Sequence, residues 1–427
     1  MGIGGAGMSG LALIALRLGA TVTGSDQGTS TYLEPLRRAG IAPVEGHAAG
    51  HVPAGAEVVY SSAVPPENPE RAVAERQLHR SELLAQIASL KRCIAVAGTH
   101  GKTTTAGMVT HVLRRCGLRP AYVVGAVLRD TGLNAEWDDG DWIVIEADES
   151  DRSLLNYTPE IAVLTNAELD HHSTYRSRLD LDATFAAFCA QAETVVVWDR
   201  PELRRLAEGA GRVVVPYDAP DPAPSAAGTR FTWRGRRVSL TLHGDHNACN
   251  AAGALTAAEL AGARPQDAAE AIASFTGASR RLERLGEIYG TVPIYDDYAH
   301  HPTEVAAALA GARELGARRL VAVFQPHLYS RTRSLAGAFG VALARADVCG
   351  VLDVYPARER AEDYPEVSGR LVAAAAADAG DGRTVAWLPR LEDARHWLQA
   401  TLRPGDLCLL MGAGNIDALG RALVDGG

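Results

Sequence analysis

Cys93-Ile94-Ala95-Val96-Ala97-Gly98-Thr99-His100-Gly101-Lys102-Thr103-Thr104 joins a short apolar run to a glycine turn, and a helix-prone segment follows as far as Arg115. The small and β-branched run predicts a buried strand at 93–97, and the alternation that follows predicts a helix over 104–115. A G-x-x-G-K-[ST] turn between the two gathers backbone N–H groups around one hollow. The helix adds its positive end, Lys102 a compact cation, and Thr103 a hydroxyl within reach of a magnesium ion. Phosphate oxygens are what such a hollow suits. The candidate contacts are Gly98, Thr99, His100, Gly101, Lys102, Thr103 and Thr104. The turn is two residues shorter than the commonest phosphate loop.

Lysine usage supports the same position. Among 42 basic residues only Lys91 and Lys102 are lysines, so a lysine kept inside the turn marks a place where arginine does not serve. Lys91 follows a helical stretch at 83–90 and reads as a solvated charge at a helix C-terminus.

Further along, apolar runs at 122–125, 142–147, 161–166, 194–198 and 212–216 alternate with helical stretches, which predicts a mainly parallel sheet covered by helices. Two of these strands deliver chemistry. Trp142–Ile145 leads into Glu146-Ala147-Asp148-Glu149-Ser150-Asp151, and hard oxygen ligands at a strand mouth suit Mg²⁺. Glu146 is the first candidate. Ile161–Asn166 leads into Ala167-Glu168-Leu169-Asp170-His171-His172, where His171 is a candidate metal or phosphate contact. The proline-rich stretch 218–228 predicts a loop, Arg234-Gly235-Arg236 a hairpin turn, and 246–260 a long alanine-rich helix. Asn247 and Asn250 in that helix suit either a helix cap or the edge of an adenine.

Before this unit lies Gly2-Ile3-Gly4-Gly5-Ala6-Gly7, a G-x-G-x-x-G turn opening a helix, with a short strand expected at 21–24. Gly4, Gly5 and Gly7 could bring backbone close to a diphosphate. The strand that should precede such a turn is missing from the sequence. A strand at 58–60 places Ser61, Ser62 and Ala63 at a sheet edge of the kind that binds ligands. After this unit, strands at 292–296, 320–325, 348–354, 385–388 and 407–411 alternate with helices at 302–315, 334–344, 367–379 and 391–402. Two of those strands end in polar runs, Asp296-Asp297-Tyr298-Ala299-His300-His301-Pro302 and Gln325-Pro326-His327-Leu328-Tyr329-Ser330-Arg331. Arg331 could hold a carboxylate in its fork.

A chain of 427 residues suggests two or three domains, and we divide it at 1–90, 91–285 and 286–427. The net charge of −9 leaves no basic stripe for nucleic acid, so no nucleic-acid partner is expected. No apolar run approaches the length of a membrane span, and the glycine-rich start lacks the basic residues of a signal peptide. A cytoplasmic location is expected. The six scattered cysteines read as buried free thiols of a reducing compartment.

Together, Gly2–Gly10, Gly98–Thr104, Glu146–Asp151, Asp296–Pro302 and Phe324–His327 resemble the motifs of the Mur ligases of peptidoglycan synthesis, over nearly the whole chain. The resemblance implies an α/β protein of three domains: a Rossmann-like N-terminal domain, a central P-loop ATPase domain, and a Rossmann-like C-terminal domain. It implies ATP and Mg²⁺, with UDP-N-acetylmuramate and L-alanine as partners. Carried over by motif, Lys102, Thr103, Glu146 and His171 would hold phosphates and metal, Asn247 and Asn250 the adenine, Asp297 the ribose, and Arg281 a phosphate. Gly4, Gly5, Gly7, Ser61, Ser62 and Ala63 would hold the UDP-sugar. Tyr298, His300, His327 and Arg331 would line the acceptor amino acid. Members that add later residues use a carbamylated lysine beyond the metal motif. This chain has no lysine after Lys102, which favours the alanine-adding branch. Leu328 stands where some relatives carry arginine, and Asn415 replaces the aspartate often seen at that place in the family. Nothing chooses between a monomer and a homodimer.

Overall fold

The computed structural model describes every residue except Thr29, Ser173, Ala226 and Gly427. The central sheet has seven strands in the order 213–217, 194–198, 161–164, 92–97, 142–146, 121–128, 133–136. All neighbours are parallel except the last pair. Its middle strands are fully buried (Ile94, Val96, Val144 and Val163 are each 0% exposed), because helices cover both faces. The third sheet runs 283–288, 292–297, 406–411, 319–324, 348–352, 384–388, parallel after an antiparallel first pair.

The N-terminal region has less sheet. Two short parallel pairs, Ser25–Asp26 with Val44–Glu45 and Glu57–Tyr60 with Arg76–His79, carry it. Its helix Ala6–Arg17 packs on the edge strands of the central sheet, and Leu11 and Ile14 enter the central core. Gly10 is needed there, since a Cβ would lie 2.8 Å from Ala135 Cβ.

Several expectations need correction. The strand expected at 21–24 is a two-residue strand at Ser25–Asp26, because the ladder offered by Val44–Glu45 starts only there. The proline-rich stretch read as loop contains a strand, Ala223–Ser225, which pairs with Gly228–Trp233 as the edge of a small three-stranded sheet. The antiparallel edge strand Leu133–Glu136 has no counterpart in the sequence reading. The helix expected at 334–344 begins at Tyr329. Lys91 is not a freely solvated charge, since its ammonium donates to the Gly140 carbonyl and lies 4.7 Å from the Trp137 ring. The hairpin turn holds as expected, with Arg234 and Gly235 both at positive φ. All six cysteines are unpaired, four of them buried. No helix among the described residues is long and apolar enough to cross a membrane.

Candidate active site

Three strands of the central sheet end side by side, at Ala97, Glu146 and Leu164, and their loops form one site. Gly98 (φ +134°) and Gly101 (φ +79°) take backbone conformations that favour glycine, and Gly101 caps the helix Lys102–Arg115. The third loop braces the first. Asn166 Oδ1 accepts from the His100 N–H at 2.8 Å, and the Thr165 hydroxyl donates to the His100 carbonyl at 2.6 Å. A Cβ on Gly98 would meet Thr165 Oγ1 at 2.1 Å, and one on Gly101 would meet Asn250 Oδ1 at 2.6 Å. The loop is therefore rigid, with Asn250 wedged beneath it.

Lys102 donates to the Gly98 carbonyl at 2.7 Å and stands 2.8 Å from the Glu149 carboxylate. Burial opposes its charge, but Glu149, Asp148 and Glu146 outweigh burial and hold it firmly protonated. The Thr103 hydroxyl donates to Glu146 at 3.0 Å, and the Gly125 N–H donates to Glu146 Oε2 at 2.7 Å. His171 sits at φ +53° with its Nε2 3.3 Å from Glu149, while its Nδ1 is buried with no partner among the described residues. A carboxylate, a hydroxyl and an unpartnered imidazole nitrogen fit a divalent cation.

Gly125 sets the Glu146 carboxylate in place, and a Cβ there would come within 2.6 Å of Oε2. Gly125→Ala should therefore displace the carboxylate and lower turnover at least tenfold, with an unchanged melting temperature because the position is exposed. Steady-state kinetics at graded Mg²⁺ would check this, and an unchanged Mg²⁺ dependence would count against Glu146 as a ligand.

Beside the loop opens a cavity of about 540 Å³, lined by His100, Asn247, Asn250, Arg281, Asp297 and Glu304 among others. It holds the expected adenine, ribose and phosphate candidates together. Asn247 is not a helix cap, since Gly244 occupies that position and the Asn247 amide instead donates to the His243 carbonyl. Asp297 accepts from the N–H groups of Leu282 and Ala299, which fixes the linker between the central and third sheets.

The third sheet closes over this edge through groups that sequence reading did not connect. His100 lies between Glu168 (3.3 Å) and Glu304 (3.4 Å), with the His301 ring 4.5 Å from its own. Burial alone would lower the His100 pKa, but the two carboxylates outweigh it and raise it to about 9. The His100 hydrogen bond depresses Glu168 to about 2. His301 is held near 4 by burial and by His100, so His100 carries the charge. Because the folded-state value is above the ordinary 6.5, this contact contributes fully below pH 6.5 and is lost as pH rises through 9. Glu168 sets the acid limit, contributing above pH 4.5 and failing toward 2. Melting temperature should fall between pH 6.5 and 9 by the equivalent of about 3 kcal/mol, and the fall should be absent in His100→Gln.

Tyr298, His300, His327 and Arg331 do come together, with His300 and His327 ring centroids 6.2 Å apart and Arg331 Nη1 3.3 Å from His327 Nδ1. Burial keeps both imidazoles neutral, with pKa values near 4 for His300 and 3 for His327. Arg331 departs from the expectation. Its fork does hold a carboxylate, but that of Asp170, at 2.9 and 3.0 Å, with both side chains buried. It is therefore not free to bind an amino-acid substrate. Leu328, buried at φ +68°, offers no charge in its place.

In the N-terminal region, Gly4 and Gly5 spend their amides inside the loop, on Asp26 Oδ2 and the Gly2 carbonyl. Gly7 lies in the first helical turn, where amides are free for an anion. Ser62 donates to Asp151 at 2.6 Å and lies 3.0 Å from His79, so it ties this region to the central one. Ser61 stands next to Gly2 and Ala63 is exposed. Arg80 was not anticipated. It pairs with Asp148 at 3.0 Å, and its guanidinium faces Gly7.

Three family descriptions match in order: the Mur ligase family catalytic domain at residues 1–92, the Mur ligase middle domain at 96–258, and the Mur ligase glutamate ligase domain at 280–414. The chain is 42% identical to the UDP-N-acetylmuramate–L-alanine ligase of Rubrobacter xylanophilus, over 99% of this chain and 98% of that protein. It is 43% identical to the protein of the same name from Thermobifida fusca, over 100% and 95%. Among solved structures it resembles UDP-N-acetylmuramate–alanine ligase from Thermotoga maritima (TM-score 0.85, 26% identity, 100% of this chain and 97% of that one). It shares its fold with a murein peptide ligase from Psychrobacter arcticus (TM-score 0.76, 23% identity, 99% and 97%).

Proposed function

The chain belongs to the Mur ligase family, and from that premise we propose that it joins L-alanine to the carboxylate of UDP-N-acetylmuramate at the expense of ATP, in peptidoglycan precursor synthesis. The observation that carries this reading is that Thr103 and Lys102 of the loop reach the carboxylates of Glu146 and Glu149 at the neighbouring strand end, with His171 on Glu149, beside a cavity of nucleotide size. The muramoyl carboxylate attacks the γ-phosphorus of ATP, ADP leaves, and an acyl phosphate forms. The amino group of L-alanine attacks the acyl carbon and inorganic phosphate leaves, giving the amide.

Lys102 and the loop amides offset charge on the transferring phosphoryl group. Mg²⁺, held by Thr103, Glu146 and His171, would neutralise the phosphate oxygens. We assign the adenosine to the cavity of Asn247, Asn250 and Asp297, with Arg281 toward the phosphates. The UDP-sugar belongs to Gly7 and Ser61–Ala63, and the amino acid to Tyr298, His300 and His327. Arg331 acts at one remove, by holding the third domain down. That domain excludes water, which would otherwise hydrolyse the acyl phosphate. We keep domain limits at 1–90, 91–285 and 286–427, noting that the third sheet already begins at Glu283. We place the enzyme in the cytoplasm.

The murein peptide ligases share this fold but take a peptide as acceptor, so the acceptor decides between the two activities. We expect phosphate release that needs both ATP and UDP-N-acetylmuramate and is driven by L-alanine, more weakly by glycine and L-serine. Release driven by a peptide acceptor and not by L-alanine would assign the chain to the peptide-adding activity.

A further inference from the structure

Glu149 is 0% exposed and touches two functional groups. Lys102 Nζ lies 2.8 Å from its Oε2 and 3.1 Å from its Oε1, and His171 Nε2 lies 3.3 Å from Oε1. Glu146 differs. It is met by the Thr103 hydroxyl and the Gly125 amide, and it is only partly buried. We propose that Glu149 is the positioning residue of the cation site: by accepting the Nε2–H of His171 it leaves Nδ1 as the nitrogen that ring offers to a divalent cation, and it ties Lys102 to the same carboxylate. The inference rests on the assignment of Glu146, Thr103 and His171 to that cation.

A neutral imidazole carries one N–H, and the partner of that N–H decides which nitrogen keeps the lone pair. Both carboxylates near His171 stand on the Nε2 side, Glu149 at 3.3 Å and Asp170 Oδ2 at 3.7 Å. The proton therefore belongs on Nε2. Nδ1 is buried and meets no partner among the described residues. The backbone that carries the ring is fixed. His171 is held at positive φ by its own N–H on Asp170 Oδ1 (2.7 Å) and by its carbonyl, which accepts from the N–H groups of Thr174 and Tyr175. Glu149 is held as firmly, its carbonyl accepting from the Tyr175 hydroxyl at 2.6 Å and from the Arg152 N–H at 3.0 Å. Histidines that ligate metals commonly donate their other N–H to such a carboxylate, which fixes the tautomer and raises the basicity of the ligating nitrogen.

Two variants separate the two contacts. Glu149→Gln keeps an acceptor for His171 and loses the charge facing Lys102, whereas Glu149→Ala loses both. Mn²⁺ binding with a non-hydrolysable ATP analogue, followed by electron paramagnetic resonance, gives the cation affinity. Imidazole ¹⁵N shifts of the metal-free enzyme, assigned by comparison with His171→Asn, give the tautomer. We expect the Nε2–H form in the native enzyme and in Glu149→Gln, with Mn²⁺ affinity within about threefold of native. Glu149→Ala should bind Mn²⁺ about 10- to 100-fold more weakly while binding UDP-N-acetylmuramate normally. An Nδ1–H tautomer in the native enzyme, or native Mn²⁺ affinity in Glu149→Ala, overturns the proposal. If Glu149→Ala does not fold, the native tautomer and Glu149→Gln decide. Glu146→Gln and His171→Asn guard the premise. If neither weakens Mn²⁺ binding, the cation site is wrongly placed; if both do and Glu149→Ala does not, only the role of Glu149 falls.

Discussion

Lys102→Ala should abolish ligation, lowering turnover by at least three orders of magnitude, while UDP-N-acetylmuramate binds as before. The lysine is the loop's only ammonium, and it stands among Glu149, Asp148 and Glu146, which keep it charged. A phosphoryl group in transfer spreads negative charge over its oxygens, and catalysis rests on opposing charges fixed in advance. Arginine should not rescue. Its planar fork would have to enter a pocket shaped by the Gly98 and Thr99 carbonyls, both of which already accept from the ammonium. The UDP-sugar is assigned to a separate region, so calorimetric binding of that substrate should be unaffected. Near-native turnover in Lys102→Ala would remove the basis of the mechanism. A parallel loss of UDP-sugar binding would show that the fold, and not the chemistry, had been damaged.

Arg331→Met should have the second largest effect. Arg331 and Asp170 are 3% and 2% exposed and are joined by two hydrogen bonds. Removing one partner of a buried pair leaves the other charge unpaired, at about 3–5 kcal/mol. The two residues belong to different domains: Asp170 follows a strand of the central sheet, and Arg331 lies in the first turn of the helix Tyr329–Leu343. The cost therefore falls on docking of the third domain, not on the stability of either. Turnover should drop about 100-fold or more, and small-angle scattering should show a larger radius of gyration. Asp170→Leu combined with Arg331→Met removes both charges, and it should recover the compact form more than the activity, since Asp170 also holds the His171 N–H. A compact, active Arg331→Met enzyme would show that closure does not depend on this pair.

What could be read from sequence follows from how far each signal reaches along the chain. The loop Gly98–Thr104 is local: strand, turn and helix are contiguous, so its order is legible in sequence, although the helix starts at Lys102, two residues earlier than expected, and its braces from Thr165, Asn166 and Asn250 come from distant segments. The strand mouths at Glu146 and Asp297 were legible for the same reason. Arg331 was identified as a residue that grips a carboxylate, but the carboxylate lies 161 residues away, and no period or spacing reports such a contact. Glu149 and Glu304 stood within recognised motifs. Their roles depend on partners brought by other loops, His171 and Lys102 for the first and His100 for the second. Gly125 gave no signal, because its value lies in the Glu146 side chain that a Cβ would displace. The helix starts earlier, at Tyr329, than its sequence suggests because its first turn carries Ser330 and Arg331, polar groups that read as loop; Ser330 bonds Glu359 within the third domain and Arg331 bonds Asp170 across the domain contact.

The central claim is that a phosphoryl group passes onto the muramoyl carboxylate at the loop of Lys102. The direct measurement uses UDP-N-acetylmuramate labelled with ¹⁸O in the carboxylate, with ATP and L-alanine, and mass analysis of the phosphate released. The acyl-phosphate route carries one carboxylate oxygen into each phosphate, so inorganic phosphate should contain one ¹⁸O per amide formed. Phosphate free of label, formed alongside the amide, would contradict it.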